Sequence, residues 1–159
     1  MAQKGKNPDP NDVATQDGIV KALYESLSFT TGTQPDFDRF KTLFREQALL
    51  VPPKSDKASP LHQIEVDLWV KKTVEHIVLD GMERKGGHVT EVARRTSKFG
   101  TIVQIFSTFE LRVKLNDPSP AQRGIYSMQL MRDNQRWWIV SLMWDFERAD
   151  LPIPRAYLI

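Results

Sequence analysis

The segment RWWIVSLMWDFE, residues 136–147, constrains the fold more than any other stretch of the chain. It places three tryptophans and five other apolar side chains in twelve positions. Successive side chains of a β-strand point to opposite faces of the sheet, and an antiparallel sheet commonly leaves one face in water. Here both faces would be apolar, so a strand in this segment needs a cover on each side.

The spacing of apolar residues changes along the chain from a helical period to a strand period. Three segments, which begin at Thr15, Asp36 and Val66, carry apolar residues three or four positions apart and are predicted to be helices. Strands are predicted at 48–53, 89–99, 101–113, 124–132 and 136–147. Helices followed by long strands predict an α+β domain in which three N-terminal helices pack on one face of a strongly curved antiparallel sheet.

The length of the chain and the composition of its first residues predict the domain boundaries. A chain of 159 residues has the usual size of a single domain with one core. Residues 1–14 are rich in Pro, Asn, Asp and Lys and are expected to form a flexible arm. Residues 15–159 are expected to form a single domain.

The composition argues against several classes of protein. The chain has no cysteine, and its three histidines lack the spacing of a metal site, so we expect neither a metal nor a cofactor. A formal net charge of +2 disfavours nucleic acid as a partner. The sequence has no apolar run of about 18 residues and no signal-peptide core. We therefore expect a cytoplasmic protein without a membrane partner.

The last two predicted strands form a hairpin whose turn assigns their side chains to two faces. Either a DN or an NQ two-residue turn places Leu130 on the same face as Trp137 and Ile139. Strict alternation then predicts an inner face with Tyr126, Met128, Leu130, Trp137, Ile139, Ser141, Met143 and Asp145. This mixture of bulky apolar groups with a hydroxyl, a phenol and a carboxylate suits a cavity beneath the helices.

The opposite face of the hairpin carries an unbroken apolar series: Trp138, Val140, Leu142, Trp144 and Phe146. Burying each of these side chains is worth on the order of 1.5–3 kcal/mol, so exposing all five would be costly. The three helices are needed on the inner face, and the residues after Asp150 form only a short tail. We therefore expect a homodimer in which a second copy covers the series. The alternative is a monomer whose tail folds back over Trp138 and Trp144.

Four segments of the chain carry a resemblance to a known superfamily: DRFKTLFREQALLVP, GIYSMQLMRDNQRWWIVSLMWD, FGTIVQIFSTFELR and LPIPRAYL. The first is similar to the second helix and following strand of the nuclear transport factor 2-like, or SnoaL-like, superfamily, and the second is similar to its closing hairpin. FGTIVQIFSTFELR and LPIPRAYL resemble a bacterial branch of the superfamily that has no assigned activity. The resemblance spans residues 15–158 and implies a cone of sheet around helices and, as in many members, pairing through the sheet.

Three side chains are candidates for proton transfer in the predicted cavity: Asp145, His76 and Tyr24. A carboxylate beside aromatic side chains can act as an acid or base because burial raises its pKa, and histidine titrates near neutral pH. The alternatives are an ion pair for Asp145, with Arg123 or Arg112, a helix-surface position for His76 and an ordinary core position for Tyr24.

The cavity is expected to be lined by Tyr24, Phe40, Phe44, Trp69, His76, Phe106, Tyr126, Met128, Ser141, Met143 and Asp145. Phe106 is included because we expect it to face inward with Gln104 and Thr108. The leading hypothesis is that the cavity binds a small, largely apolar molecule, in a binding protein or a cofactor-free isomerase, dehydratase or cyclase. The alternative is a noncatalytic module for dimerisation or protein interaction, which a closed cone with ion-paired carboxylates would favour.

Overall fold

The computed structural model describes residues 6–159, and its main helices lie where the apolar spacing predicts them. The helices are α1 (Pro10–Val13), α2 (Gln16–Leu27), α3 (Phe37–Thr42) and α4 (Val66–Leu79). Of these, α2, α3 and α4 are the three predicted helices. The side chains of Thr15 and Asp36 cap α2 and α3, because they accept hydrogen bonds from the backbone N–H groups of Gly18, at 2.9 Å, and Arg39, at 3.0 Å.

Six strands form one sheet in the order β2–β1–β6–β5–β4–β3. They are β1 (Phe44–Val51), β2 (Ile64–Glu65), β3 (His88–Phe99), β4 (Ile102–Arg112), β5 (Gln122–Asp133) and β6 (Arg136–Phe146). The predicted α+β fold, with helices packed on a curved sheet, is confirmed. The sheet is mixed, however, because β1 runs parallel to β6 while the other neighbouring pairs are antiparallel. Parallel strands need a long crossover, and here α4 and three long strands separate β1 from β6 along the chain.

A helical turn lies within the segment expected to be a flexible arm. In α1, Val13 is buried, and the carboxylate of Asp12 accepts two hydrogen bonds of 2.8 Å from the guanidinium of Arg39. The same guanidinium contacts the carboxylate of Glu25 at 2.8 Å, so one arginine joins α1, α2 and α3. The expected arm therefore contains an anchored turn, and residues 1–5 lie outside the described residues.

The turn of the β5–β6 hairpin has the predicted length and register. Asn134 and Gln135 form a two-residue turn with φ angles of 50° and 67°. This left-handed backbone is typical of the turns that join two adjacent antiparallel strands. Leu130 pairs with Ile139, and both are buried on the inner face as predicted.

A β-bulge at Val140 reverses the facing of every later residue of β6. The pair after Leu130–Ile139 is Gln129–Ser141, which leaves Val140 as an extra residue. Three residues predicted on the outer face therefore point inward: Leu142, Trp144 and Phe146. Three residues predicted on the inner face point outward: Ser141, Met143 and Asp145. The assignment by strict alternation is wrong beyond the bulge.

The bulge brings large apolar side chains into the core. The ring of Trp144 lies 6.1 Å from that of Tyr126, and the ring of Phe146 lies 6.1 Å from that of Phe109. Leu142, between them and the bulge, is almost completely buried. Burying such a side chain is worth on the order of 1.5–3 kcal/mol, which explains why the extra residue is favoured over regular alternation.

We expect Asp12→Asn to destabilise the protein near neutral pH and to have little effect in acid. Hydrogen bonds from Arg39 lower the pKa of Asp12 below its ordinary value of 3.8 in the folded chain. The carboxylate therefore contributes stability above that ordinary value, and this stability is lost as the pH falls through the lower folded pKa. Urea unfolding of both proteins between pH 7 and pH 2 measures the difference in the free energy of unfolding.

The matched control is Asp38→Asn, because Asp38 is an exposed carboxylate in the first turn of α3. Its effect should be small throughout this pH range. A difference between Asp12→Asn and the unmodified protein that stays constant down to pH 2 would contradict the ion-pair explanation.

Candidate functional site

The inner face of the sheet is filled by aromatic rings that extend from the helices to β6. The ring centroids of Phe40 and Trp69 are 5.3 Å apart, and those of Trp69 and Trp144 are 5.8 Å apart. Tyr126 lies 6.1 Å from Trp144 and 4.3 Å from Phe109. Rings at these separations pack in stacked or edge-to-face contacts, so the centre of the cone is a packed core.

Six of the predicted cavity residues lie together in this core: Tyr24, Phe40, Phe44, Trp69, Tyr126 and Met128. All are buried except Trp69, which is partly buried against the others. The helix stripes and the regular part of the hairpin place them on the expected side of the sheet. Their contacts are those of core residues, which is the alternative considered for Tyr24.

A chain of polar side chains runs along the β3–β4 side of the inner face. The hydroxyl of Tyr24 lies 2.7 Å from Ser107 Oγ, and Ser107 donates to the carboxylate of Glu91. Arg94 contacts Glu91 at 2.8 Å and Asp17 at 2.6 Å. Burial raises the pKa of the Tyr24 phenol well above its usual range, so this hydroxyl remains protonated. The carboxylate at the end of the chain is already paired with a cation.

A groove of about 470 Å³ opens beside this polar chain, between α2 and β3. Tyr24, Glu91 and Arg94 contribute to its wall. Lys21 and Glu25, also in the wall, lie 3.6 Å apart as an ion pair. The charged groups of the groove are therefore engaged with one another.

Strand β4 faces the opposite way from the prediction. Its inward residues are Val103, Ile105, Ser107 and Phe109, and all four are buried. Phe106 therefore points outward, with Gln104 and Thr108. Of the two alternating sets of side chains in β4, the inward one is the more apolar. This difference could have placed Ser107, and with it Glu91, which accepts its hydrogen bond, on the inner face of the sheet.

The other two catalytic candidates lie far from the core. The side chain of His76 is 77% exposed on α4, with Nδ1 3.7 Å from the carboxylate of Asp80. Asp145 is exposed on the outer face and accepts hydrogen bonds from the backbone N–H of Phe146, at 2.8 Å, and from Arg148, at 3.1 Å. The structure does not bring the three candidates together. Tyr24 and His76 occupy the alternative positions considered for them, and Asp145 forms an ion pair, but with Arg148 rather than Arg123 or Arg112.

An open trench of about 950 Å³ lies on the outer side of the sheet, and we call it the outer trench. It is lined by Val51, Pro53, Lys54, Asp56, Lys57, Leu61, Phe106, Gln122, Ile125, Ser127, Met143, Trp144, Asp145, Phe146, Glu147, Arg148 and Asp150. Phe106, Met143 and Asp145 were predicted to line one cavity, and they meet here, outside the cone. Ser141 lies on the same face, with its hydroxyl 3.4 Å from the side-chain oxygen of Gln129.

Three carboxylates at the rim of the outer trench, those of Asp145, Glu147 and Asp150, are paired with arginines. Arg148 lies 3.1 Å from Asp145 and 3.6 Å from Asp150. Arg123 binds Glu147 at 2.9 Å and holds the pKa of that carboxyl below its usual range. The arginine that pairs with Asp145 is therefore Arg148, and the ion pair is solvent-exposed.

The register of the strands arranges the outer face in rows that cross the sheet. The tip row, beside the β3–β4 and β5–β6 turns, contains Phe99, Ile102, Met131 and Trp138. The polar row contains Ser97, Gln104, Gln129 and Ser141, and ends on β1 at Leu49. The trench row contains Arg95, Phe106, Ser127, Met143 and Val51. Exposure reaches 83% for Phe99, 60% for Ile102 and 45% for Met143.

The apolar outer surface therefore differs from the series predicted on β6. Three members of that series are in the core, Val140 is the bulge residue, and Trp138 remains in the tip row. The guanidinium carbon of Arg136 lies 3.4 Å from the centroid of the Trp138 ring, and that of Arg45 lies 5.3 Å from it. The exposed apolar surface comes mainly from the β3–β4 turn and from Met143.

The tail after β6 covers one part of the outer face. The ring of Tyr157 lies 5.6 Å from that of Phe106, and its carbonyl accepts a 2.5 Å hydrogen bond from Thr108. Arg95 donates to the carbonyl of Ala156 at 2.6 Å. The tail lies on the β3–β4 side of the trench row and not, as the monomer alternative requires, over the tryptophans of β6.

Solved structures share this arrangement of helices on a curved sheet. A protein of unknown function with a cystatin-like fold from Nostoc punctiforme is 11% identical, with a TM-score of 0.60 over 82% of this chain and 87% of that chain. An NTF2-like protein of unknown function from Shewanella baltica is 14% identical, with a TM-score of 0.52 over 82% of this chain and 92% of that chain. The chain has the nuclear transport factor 2-like fold.

A third structure with the nuclear transport factor 2-like fold comes from Shewanella frigidimarina, and that protein is proposed to be a ketosteroid isomerase. It is 13% identical, with a TM-score of 0.53 over 88% of this chain and all of that chain. No family model and no curated protein sequence matches the chain. At such low identities the similarity establishes the fold and leaves the function to the residues of the site.

Residues 6–159 of this nuclear transport factor 2-like domain contain neither a cluster of metal ligands nor a membrane-spanning helix. No three His, Cys, Asp or Glu side chains in this range are grouped closely enough to hold a metal ion. No helix in the same range combines the length and apolarity that crossing a membrane requires.

We expect Ser107→Ala to lower the free energy of unfolding by about 1–3 kcal/mol, because it leaves the buried hydroxyl of Tyr24 without its acceptor and removes a donor to Glu91. The control is Ser127→Ala on the outer face, where the residue is half-buried. Urea unfolding measures both. Equal effects of the two variants would show that the inner polar chain has no special role in stability.

Proposed function

We propose that this chain is a noncatalytic interaction module that forms a homodimer through the outer face of its sheet. The observation that carries the proposal is the uncovered apolar surface of that face, where Phe99, Ile102 and Met143 are 83%, 60% and 45% exposed. Large apolar side chains exposed on one face of a sheet are unfavourable in water, and a second copy of the same face is a common cover for them.

The state of the carboxylates supports a noncatalytic role. Glu91, which accepts a hydrogen bond from the buried Ser107, is paired with Arg94, and Asp145 is paired with Arg148 in solvent. A general acid or base needs an open space beside it in which a substrate can reach its reacting atom. The cone is filled by aromatic side chains, so these carboxylates fit the interaction module better than the enzyme.

The assembly state tests this proposal directly. Static light scattering at micromolar concentration should give twice the chain mass of 18.3 kDa for the unmodified protein. Ile102→Glu places a charge in the exposed tip row and should give a folded monomer, because the interface would then bury an unpaired carboxylate. A mass of 18.3 kDa for the unmodified protein would refute the homodimer.

The matched control is Leu79→Glu, because Leu79 is 82% exposed at the end of α4, away from the outer face of the sheet. This variant should remain a dimer. Circular dichroism shows whether each variant is folded. Dissociation of both variants to the same extent would mean that the added charge, and not its place on the sheet, determines assembly.

A second candidate function is the binding of a small, largely apolar molecule, and the outer trench is the observation that favours it. Its volume of about 950 Å³ lies within the usual range of ligand sites. Phe106, Ile125 and Met143 form an apolar part of its lining, and Arg148 and Asp145 supply charges at its rim. The binding site proposed here is on the outer face, in contrast to the cone cavity expected from the sequence.

Fluorescence of the apolar dye 8-anilinonaphthalene-1-sulfonate tests this second function. The assay uses the Ile102→Glu variant, so that a second copy does not cover the outer trench. We expect saturable binding that Ile125→Glu, added to this variant, reduces at least tenfold, because it places a carboxylate in the apolar lining. Leu79→Glu added to the same variant is the control, and an equal signal from all three proteins would exclude the trench as the site.

A further inference from the structure

Two guanidinium groups lie over one tryptophan at the tip end of the outer face. The guanidinium carbon of Arg136 is 3.4 Å from the centroid of the Trp138 ring, and that of Arg45 is 5.3 Å from it. Arg136 and Trp138 lie two residues apart on β6, and Arg45 reaches them from the neighbouring strand β1. A tryptophan ring attracts a cation, but two cations on one ring also repel each other. Negative charge beside them would therefore stabilise the pair.

The described residues supply one carboxylate to these two cations. Arg45 donates to a carboxylate oxygen of Asp133 at 2.9 Å. The guanidinium of Arg136 donates to the backbone carbonyls of Trp137, at 3.0 Å, and Thr42, at 2.9 Å, and to no carboxylate among the described residues. Burial and the nearby Arg45 lower the pKa of Arg136 to about 10, which indicates a poorly compensated cation. The two arginines and Asp133 together leave a single positive charge without a partner.

The other charged residues near this end of the sheet do not supply the missing negative charge. Arg132 pairs with the buried Trp137 and so lies on the inner face, where Lys98 also lies 5.7 Å from the Trp137 ring. Glu46 follows Arg45 along the chain, but within the described range it forms no ion pair with either arginine. The charges around the pair are therefore mainly positive, and the partner they lack is an anion.

The indole N–H of Trp138 also lacks a partner. Its Nε1 is buried and has no hydrogen-bond acceptor in the part of the chain that the structure describes. A buried tryptophan N–H usually finds an acceptor, and an exception indicates a place where a water, an ion or a ligand completes the bond. The side chain of Arg45 is 42% exposed, and exposed side chains change rotamer rapidly, so Arg45 can open a path to the indole. A cation without an anion and a donor without an acceptor thus meet at one residue.

Irregular backbone in β1 and β6 brings these side chains together. The pairing of β1 with β6 is interrupted between Phe44 and Leu49, and β6 has its bulge at Val140. Within the interruption, Gln47 has a φ angle of 65°, which is uncommon for a residue other than glycine. Bulges redirect side chains, and strained residues of this kind cluster at ligand sites. Arg45 belongs to the irregular segment, so its position over the indole depends on this local departure from a regular strand.

We propose that Arg45, Arg136 and the indole N–H of Trp138 bind the carboxylate group of a small organic acid. A guanidinium matches the geometry of a carboxylate, whose two oxygens can accept several hydrogen bonds at once. One uncompensated positive charge is neutralised by one carboxylate, whereas a phosphate monoester carries a charge of about −1.5 to −2 at pH 7. The half-buried Met131, which pairs with Trp138, gives the acid an apolar neighbour. The site does not rest on the proposed homodimer, because all of its groups belong to one chain.

Nuclear magnetic resonance of the nitrogen-labelled protein tests the site through the indole N–H itself. The chain has four tryptophans, and Trp138→Phe identifies the signal of residue 138. Titration with benzoate at low ionic strength should shift this signal in a saturable way, because the N–H gains an acceptor and salt does not screen the arginines. Benzamide has the same shape without the charge and should leave the signal in place. Inorganic phosphate is the second probe and should bind more weakly than benzoate.

Substitutions around the indole should change the affinity for benzoate in opposite directions. Arg136→Gln and Arg45→Gln should each weaken binding about tenfold, because each removes a charge-assisted hydrogen bond. Asp133→Asn should strengthen binding, because it removes the carboxylate that competes for Arg45. Arg84→Gln is the matched control, since Arg84 is an exposed arginine between α4 and β3, and it should bind benzoate as the unmodified protein does. Circular dichroism shows whether each variant is folded, and Arg45→Gln decides the point if Arg136→Gln is not.

Three results would overturn the inference. The absence of a saturable shift of the Trp138 signal with benzoate, or an equal shift with benzamide, would exclude the site. Tighter binding of phosphate than of benzoate would exclude a carboxylate as its ligand. Weaker binding by Asp133→Asn would contradict the charge balance on which the site depends. Each of these results leaves the proposed homodimer standing, because light scattering tests that proposal separately.

Discussion

One extra residue in β6 determines which side chains of the last strand belong to the core. With regular alternation after Ile139, the inner face would receive Ser141, Met143 and Asp145, so a carboxylate would be buried beneath the helices. The bulge at Val140 instead turns Leu142, Trp144 and Phe146 inward. The cost of burying a carboxylate without a partner is far larger than the disturbance of one bulge in a strand. The packed cone and the exposed Asp145 both follow from this choice.

Much of the fold could be predicted because its local signals agree. Thr15 and Asp36 cap helices that also show apolar stripes, and the Asn134-Gln135 turn fixes the hairpin register near its tip. The bulge gives no such signal, since the segment 136–147 is apolar on both faces and a shift of one residue changes little in its pattern. The facing of β4 could have been predicted, because the residues at 103, 105, 107 and 109 are the more apolar alternating set.

The residues predicted to line one cavity fall into two groups that lie on opposite sides of the sheet. Tyr24, Trp69 and Tyr126 come from helix stripes and the regular part of the hairpin, and they meet in the core. Phe106 and Met143 come from strand segments that both face the opposite way from the prediction, so they still meet, but on the outer side. His76 lies beside the buried Ile77, and a helix turns by about 100° per residue, which is enough to place His76 in solvent.

The central position of β6 also has a consequence for how the chain reaches its fold. β6 lies between β1 and β5, and its partner on one side, β1, is separated from it by α4 and three long strands along the chain. Contacts between such distant segments close large loops, and chains that depend on them fold slowly. The apolar inner faces of α2, α3 and β1 therefore have no complete cover until the last hairpin has been synthesised. Folding of this domain should follow synthesis as one late, cooperative event, and the unfinished chain is the form most exposed to aggregation.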